Sequence, residues 1–349
     1  MDGVVNPLLS SSSRYDLRAS SVATGFLTYC QLQTECSQHF PADQPPHIML
    51  SRLLYELDGN SQQCANAHFS QYNLNADMLR GLLFRMMQSG DTYFDRTVIP
   101  AIIFRLNRCN EEDVTVLDFF FKTSFGTGGD ADGGLANTPG LIYSGVLNYN
   151  IVQSERWLAV NESEVDEETI IGWHNSTIMA PQDPKLYISL RSQWPKYPLD
   201  QYHYQVASYS PLLMLSGQLD AAAPLDYAAQ LALVTSKTRT FYAIPLTGHI
   251  TINIATLGYT CPLFLICSWV FPDLFPQEWR DPACIGELPT TMDFVGATEQ
   301  GQEYSVQYLN ISKPFGNGSS NSLPNSSLRS TGAFELVFCF LLFVLVTFV

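Results

Sequence analysis

The sequence predicts an α/β fold in which a parallel sheet is joined to a large, mostly helical segment. LLMLS at 212–216 is a continuous apolar run, typical of a strand buried on both faces, and RTFYAI at 239–244 has the composition of a second strand. Between them, LDYAAQLALV has high helix propensity and directly follows Pro224. Strand, helix and strand in this order predict a β-α-β unit, whose two strands run parallel.

The residues before this unit are predicted to be mostly helical, from 7 to about 205. Apolar side chains recur there at helical spacing, at Leu79, Leu82, Leu83, Met86 and Met87 and again at Val98, Ile102, Ile103 and Leu106. GTGGDADGG at 126–134 interrupts the helices and is expected to be a flexible loop.

Five regions are therefore expected along the chain. Residues 1–6 begin with a short apolar strand, and 7–205 form the helical region. Residues 206–300 contain the β-α-β unit. Residues 301–332 include a polar linker rich in Gly, Ser and Asn, and 333–349 form an apolar tail.

Charge and cysteine content exclude several functional classes. The 33 acidic and 18 basic side chains give a net charge of −15, with no basic cluster, so a nucleic-acid partner is not expected. No CxxC pair is present, so we expect disulfides and neither a metal site nor a cofactor. Because seven cysteines precede the apolar tail, at least one free thiol is expected.

Sequons and the tail point to the secretory pathway and the cell surface. N-x-[ST] sequons, expected to be glycosylated, occur at Asn161, Asn175, Asn310, Asn317 and Asn325. The tail LVFCFLLFVLVTFV follows a short spacer after the small residues at 325–327, as in a glycolipid (GPI) anchor signal with attachment at Asn325. A membrane-spanning helix and a buried helix are the alternatives. Residues 1–16 lack the features of a signal peptide.

An acid and a base follow the two predicted strands. Asp220 ends a Gly-x-x-Asp turn after the first strand, and His249 ends a Gly-His pair after the second. The carboxyl ends of adjacent parallel strands meet at one edge of a sheet, which is where ligand chemistry occurs. An aspartate there can orient an imidazole that deprotonates a hydroxyl. The alternatives are that Asp220 caps the following helix, or that Asp226 is the acid.

This pattern resembles a known family. SPLLMLSGQLDAAAPLDYA (210–228) followed by FYAIPLTGHI (241–250) looks like the C-terminal part of the tripeptidyl-aminopeptidase-like serine peptidases of the α/β-hydrolase superfamily. WPKYPLDQY (194–202) is similar to the segment that leads into the family's acid strand. VLNYNIVQSERW (146–157) resembles its cap strand, and MDGVV (1–5) resembles a core strand.

The resemblance implies the C-terminal portion of an α/β-hydrolase, strands six to eight, with a large helical lid insertion. Asp220 and His249 would be the acid and base of its catalytic triad. The nucleophile belongs in a Gly-x-Ser-x-Gly elbow, which this sequence lacks. We therefore expect the nucleophile in an upstream half of the same fold, and no hydrolysis by this chain alone. The resemblance also implies a Cys261–Cys284 disulfide, with Cys267 spare or paired with the lid.

The implied substrate is a peptide with a free N-terminus. Its ammonium group needs an anionic partner, for which Glu155 and Glu162 are candidates. The membrane would be a second partner, through the tail. Two other functions stay open: a non-catalytic α/β-hydrolase-like surface protein used for binding, and an ester or epoxide hydrolase, because fold does not fix function.

Overall fold

The computed structural model is mostly helical, with a small parallel sheet of two strands. It describes residues 1–6, 8–88, 95–126, 144–158, 163–181, 184–198, 200–202, 210–235 and 237–316.

The helices lie before, between and after the two strands. Those before the sheet are α1 (Tyr15–Leu32), α2 (Thr34–Ser37), α3 (Pro46–Asp58), α4 (Gln63–His68), α5 (Ala76–Gln88), α6 (Ile99–Arg108), α7 (Glu111–Gly126), α8 (Gly145–Ser154), α9 (Glu167–Asn175) and α10 (Lys185–Arg191). The remaining elements are β1 (Leu212–Gly217), α11 (Leu225–Val234), β2 (Arg239–Ile244), α12 (Cys261–Val270) and α13 (Glu299–Leu309). Short 3-10 helices at Asp95–Val98 and Thr251–Leu257 precede α6 and α12.

The apolar stripes form the helical core, as their spacing predicts. All nine side chains of the two stripes are buried, on α5 and on or just before α6. The α3 helix begins with a proline, whose fixed φ suits a first turn. Its leucines and Met49 recur three and four residues apart and are buried on one face.

The sheet confirms both predicted strands. β1 and β2 pair in parallel, from Leu212 opposite Arg239 to Gly217 opposite Ile244. The first residues of the chain lie on the other side of β1. The Met1 ammonium donates to Leu213 O (2.8 Å), the Gly3 N–H donates to Leu215 O (3.1 Å), and Asp2 forms a parallel bridge with Leu215.

Residues 146–157 correct the expectation of a cap strand, because most of them form α8. The Ser144 hydroxyl accepts a hydrogen bond from Leu147 N (3.2 Å) and caps the helix. Tyr149 and the buried Gln153, four residues apart, share one helical face. The Tyr149 ring lies 5.4 Å from that of Tyr187, and the Gln153 amide donates to Tyr187 O. The family resemblance implied a strand here, but the contacts of this stretch repeat with the period of a helix.

Disulfides occur both in the helical region and in the residues after the sheet. The pairs are Cys30–Cys36, Cys64–Cys109 and Cys261–Cys284, the last as the resemblance implied. Cys267 is disulfide-bonded as well, so the expectation of a free thiol is wrong for the described residues. These bonds are compatible with an extracellular protein.

One hydrophobic core joins the helical region to the residues after the sheet. The ring of Phe26 on α1 lies 5.8 Å from that of Phe294, and Phe315 stacks on His39 at 4.1 Å. Arg105 of α6 donates to the carbonyls of Pro314 (2.8 Å) and Gly316 (2.6 Å). The last described residues thus return to the helical region.

Several predicted features lie outside the described residues, namely Asn161, Glu162, Asn317, Asn325, the loop at 127–134 and the tail at 333–349. Asn175 and Asn310 are exposed at the ends of α9 and α13. Within the part of the chain that the structure covers, no helix combines the length and apolarity needed to cross a membrane.

Candidate functional site

The loops after β1 and β2 are joined by backbone hydrogen bonds. Gln218 N donates to Ile244 O (2.9 Å), and Leu219 N donates to Thr247 O (2.8 Å). A Cβ atom at Gly217 would overlap Thr247 O, so only glycine permits this approach. The glycine of the Gly-x-x-Asp turn is therefore required by contact between the two loops.

Asp220 and His249 meet at this junction. The Asp220 side chain is fully buried, and its Oδ2 atom lies 3.0 Å from Nδ1 of His249. Its Oδ1 atom accepts hydrogen bonds from Ala222 N (2.8 Å) and Ala223 N (2.7 Å). α11 begins only after these residues, so Asp220 fixes the turn and does not cap the helix. The other candidate acid, Asp226, forms an exposed ion pair with Arg18 at 3.2 Å.

His249 has the electrostatic environment of a base. Its pKa is raised by the hydrogen bond to Asp220, against an opposing effect of burial, and the charge of Asp2 raises the pKa further. With Asp220 ionised, Nδ1 is the donor, which leaves the lone pair on Nε2 to accept a proton. The side chain is 33% exposed, and among the described residues Nε2 has no hydrogen-bond partner.

The first residues of the chain pack against this imidazole. Gly3 has a φ of +70°, and a Cβ there would lie 2.7 Å from Cε1 of His249. The Asp2 carboxylate accepts hydrogen bonds from Thr251 Oγ1 and Ile252 N, both at 3.0 Å. Residues 1–3 therefore support the loop that contains His249 from the side of the sheet.

A cavity of about 390 Å³ lies between the helical region and the loop that contains Asp220. Its wall reaches that loop through Ala222 and Pro224 and includes Tyr15, Trp157 and Tyr187. Burial and the nearby charge of Asp220 raise the pKa of Tyr15, so its hydroxyl stays protonated. The volume and the mixture of aromatic and polar walls suit a small organic ligand or part of a peptide.

Of the two predicted substrate-binding acids, Glu162 lies outside the described residues, and Glu155 lies outside the cavity wall. Glu155 is exposed at the end of α8 and is not part of the described cavity wall, whereas the next residues, Arg156 and Trp157, line it. Asp16 is the acid in that wall. No local motif marked it, because its role depends on a partner far along the chain.

That partner is His174, a buried histidine that bridges two carboxylates. Its Nε2 atom lies 2.9 Å from Asp77 Oδ1, and its Nδ1 atom lies 3.5 Å from Asp16 Oδ2. Burial lowers the pKa of His174, but the two carboxylates outweigh burial and raise the pKa to about 9. The histidine is therefore protonated at neutral pH and compensates the charge of Asp16.

We expect this network to make the folded protein less stable at alkaline pH than at neutral or acidic pH. The pKa of about 9 in the folded state exceeds the ordinary 6.5. The stabilisation is therefore complete below pH 6.5 and is lost as the pH rises through 9, a difference of about 3 kcal/mol. Urea unfolding at pH 6 and pH 9.5 should show this loss in the natural protein and a much smaller loss in a His174→Gln variant, in which His249, whose pKa is also raised, still contributes.

The matched control is His68→Gln, at an exposed histidine on α4. This variant should lose as much stability between the two pH values as the natural protein does. An unchanged pH dependence in His174→Gln would contradict the assignment.

Within the described residues, no group of three or more His, Cys, Asp or Glu side chains could hold a metal ion. Comparison of the chain with protein-family models, curated proteins and solved structures gave no match.

Proposed function

We propose that Asp220 and His249 are the acid and base of a serine hydrolase with an α/β-hydrolase fold. The observation that supports this most is the 3.0 Å contact between Asp220 Oδ2 and His249 Nδ1, at the ends of two adjacent parallel strands. The parallel pairing of residues 1–3 with β1 agrees with a strand order in which the acid follows the second strand and the base follows the third.

In the proposed mechanism, Nε2 of His249 removes the proton from a serine hydroxyl as that oxygen attacks an acyl carbon. The imidazolium is then stabilised by Asp220, and it returns the proton to the leaving group. The serine and the oxyanion donors come, in this proposal, from a polypeptide segment other than the described residues. The edge of residues 1–3 that faces away from β1 has no strand partner within the described part of the chain.

The proposed substrate is a peptide with a free N-terminus, bound in the cavity beside the Asp220 loop. The class follows from the family resemblance, and the size of the cavity agrees with a few residues. We also propose that the protein is secreted and held at the cell surface through its apolar tail. The disulfides and the exposed Asn175 and Asn310 sequons agree with that location.

The test compares this chain with a form extended through the in-frame coding sequence that precedes the Met1 codon. We expect a fluorophosphonate probe to label a Gly-x-Ser-x-Gly serine in the extended form and to leave the 349-residue chain unlabelled. His249→Ala in the extended form should abolish labelling. Absence of an in-frame serine elbow, or labelling that survives His249→Ala, would contradict the proposal and favour a binding protein.

A further inference from the structure

Arg96 lies at the junction of the two loops that contain Asp220 and His249. It belongs to the 3-10 helix Asp95–Val98 of the helical region, and its side chain is fully buried. Its Nη1 atom lies 3.5 Å from the carbonyl oxygen of Leu219, the residue before Asp220. The helical region therefore contacts the loop that contains Asp220 through a guanidinium group.

The same guanidinium lies against Gly248 in the loop that contains His249. A Cβ atom built at Gly248 would lie 2.5 Å from Nη2 of Arg96 and 3.3 Å from both Cζ and Nη1. Gly248 shows no left-handed backbone, so the lack of a side chain, and not an unusual φ, is what this position requires. The Gly-His pair after β2 is thus explained by a partner from the helical region.

We propose that Arg96 is a positioning residue that holds the backbones of the two loops at the spacing on which the Asp220–His249 contact depends. The guanidinium contacts Leu219 on one side and Gly248 on the other, each adjacent in sequence to one member of the pair. Its planar shape allows one buried group to contact both backbones at once, which the single ammonium of lysine does not reproduce.

The effect of Arg96 on His249 is indirect. The charged groups that raise the pKa of His249 are Asp220 and Asp2. A shift of that pKa on replacement of Arg96 therefore reports movement of the loops. The catalytic importance of Arg96 rests on the proposed function, but its effect on the Asp220–His249 contact does not.

The first experiment is NMR of the 349-residue chain with labelled histidine. Arg96→Lys keeps the charge and removes the planar contact, so the pKa of His249 should fall by about half a unit or more as its bond to Asp220 lengthens. The Nδ1 proton of His249 should also exchange faster with water. A pKa and an exchange rate equal to those of the natural protein would overturn the proposal.

The matched control is Arg105→Lys, at another fully buried arginine of the same region. It should lower stability through its own contacts with Asp113, Pro314 and Gly316 while leaving both His249 signals unchanged. If it changes them as Arg96→Lys does, the effect is a general loss of stability and the proposal fails.

A double-mutant cycle tests the contact by a second route, through the free energy of unfolding. Gly248→Ala places a methyl group against the guanidinium, so its destabilisation should largely disappear in an Arg96→Ala background. Gly3→Ala places a methyl group against the His249 ring and not against Arg96, so its effect should be additive with Arg96→Ala. Additivity of Gly248→Ala with Arg96→Ala would overturn the proposal.

These readouts are independent of hydrolysis. If the extended form proves inactive while Arg96→Lys alters His249, the positioning role stands and the proposed function fails. If the extended form is active and His249 is unaffected by Arg96→Lys, the proposed function stands and the positioning role fails.

Discussion

Replacing Asp220 with asparagine is expected to reduce kcat/KM for peptide hydrolysis by the extended form by about 10³- to 10⁴-fold, as loss of the acid does in other triads. Asparagine keeps an oxygen for Ala222 N and Ala223 N, so the turn is preserved. Its amide group, however, presents a donor to Nδ1 of His249. The imidazole then carries its proton on Nε2, where it cannot accept one from a nucleophile.

Asp226→Asn is the control for this prediction, because Asp226 is the other acid near the turn. Its exposed ion pair with Arg18 does not contact or orient His249, so kcat/KM should stay within about twofold of the natural value. Equal losses in the two variants would mean that Asp220 has no special role. Histidine nitrogen chemical shifts would show whether the tautomer changes only in Asp220→Asn.

Replacing Asp113 with alanine is expected to lower the free energy of unfolding by about 3–5 kcal/mol, the cost of leaving a buried charge without its partner. Asp113 and Arg105 are both fully buried and lie 2.8 Å apart. Arg108, one third exposed, donates to the same carboxylate. Burial lowers the pKa of Arg105, and Asp113 opposes that effect, so the guanidinium depends on this carboxylate.

Asp226→Ala is again the matched control, since it breaks an ion pair at the surface and should cost at most about 1 kcal/mol. A third variant separates charge from shape. Arg105→Met combined with Asp113→Leu removes both charges and should recover much of the stability lost in Asp113→Ala. Chemical denaturation of the three variants gives the comparison. A cost for Asp113→Ala as small as that for Asp226→Ala would refute the prediction.

The strands and the acid–base contact could be predicted because their signals are local. β1 is an apolar run and β2 has the composition typical of a strand, with a helix between them. A parallel sheet brings the carboxyl ends of two such strands together whatever the rest of the chain does. Asp220 and His249 could therefore be assigned to one edge without knowledge of any long-range contact.

The parts that could not be predicted depend on residues distant in sequence. Arg96 lies in the polar stretch DRTV, where nothing indicates burial against Gly248. Asp16 gains its place in the cavity wall beside His174, which belongs to a helix far along the chain. Residues 146–157 were expected to form a strand because of the family resemblance. Their helix depends on a cap at Ser144 and on contacts with Tyr187 that the local sequence does not reveal.

The hydrogen bonds from Arg105 to the carbonyls of Pro314 and Gly316 have a mechanical consequence. Tension on the chain after residue 316 would first load these two hydrogen bonds and pass into α6, which the Cys64–Cys109 disulfide ties to α4 at its C-terminal end. α6 directly follows the 3-10 helix that contains Arg96, and Arg96 contacts the two loops that contain Asp220 and His249. In a protein tethered through its tail, as proposed, a pull on the tail would therefore reach the Asp220–His249 pair through α6 and Arg96.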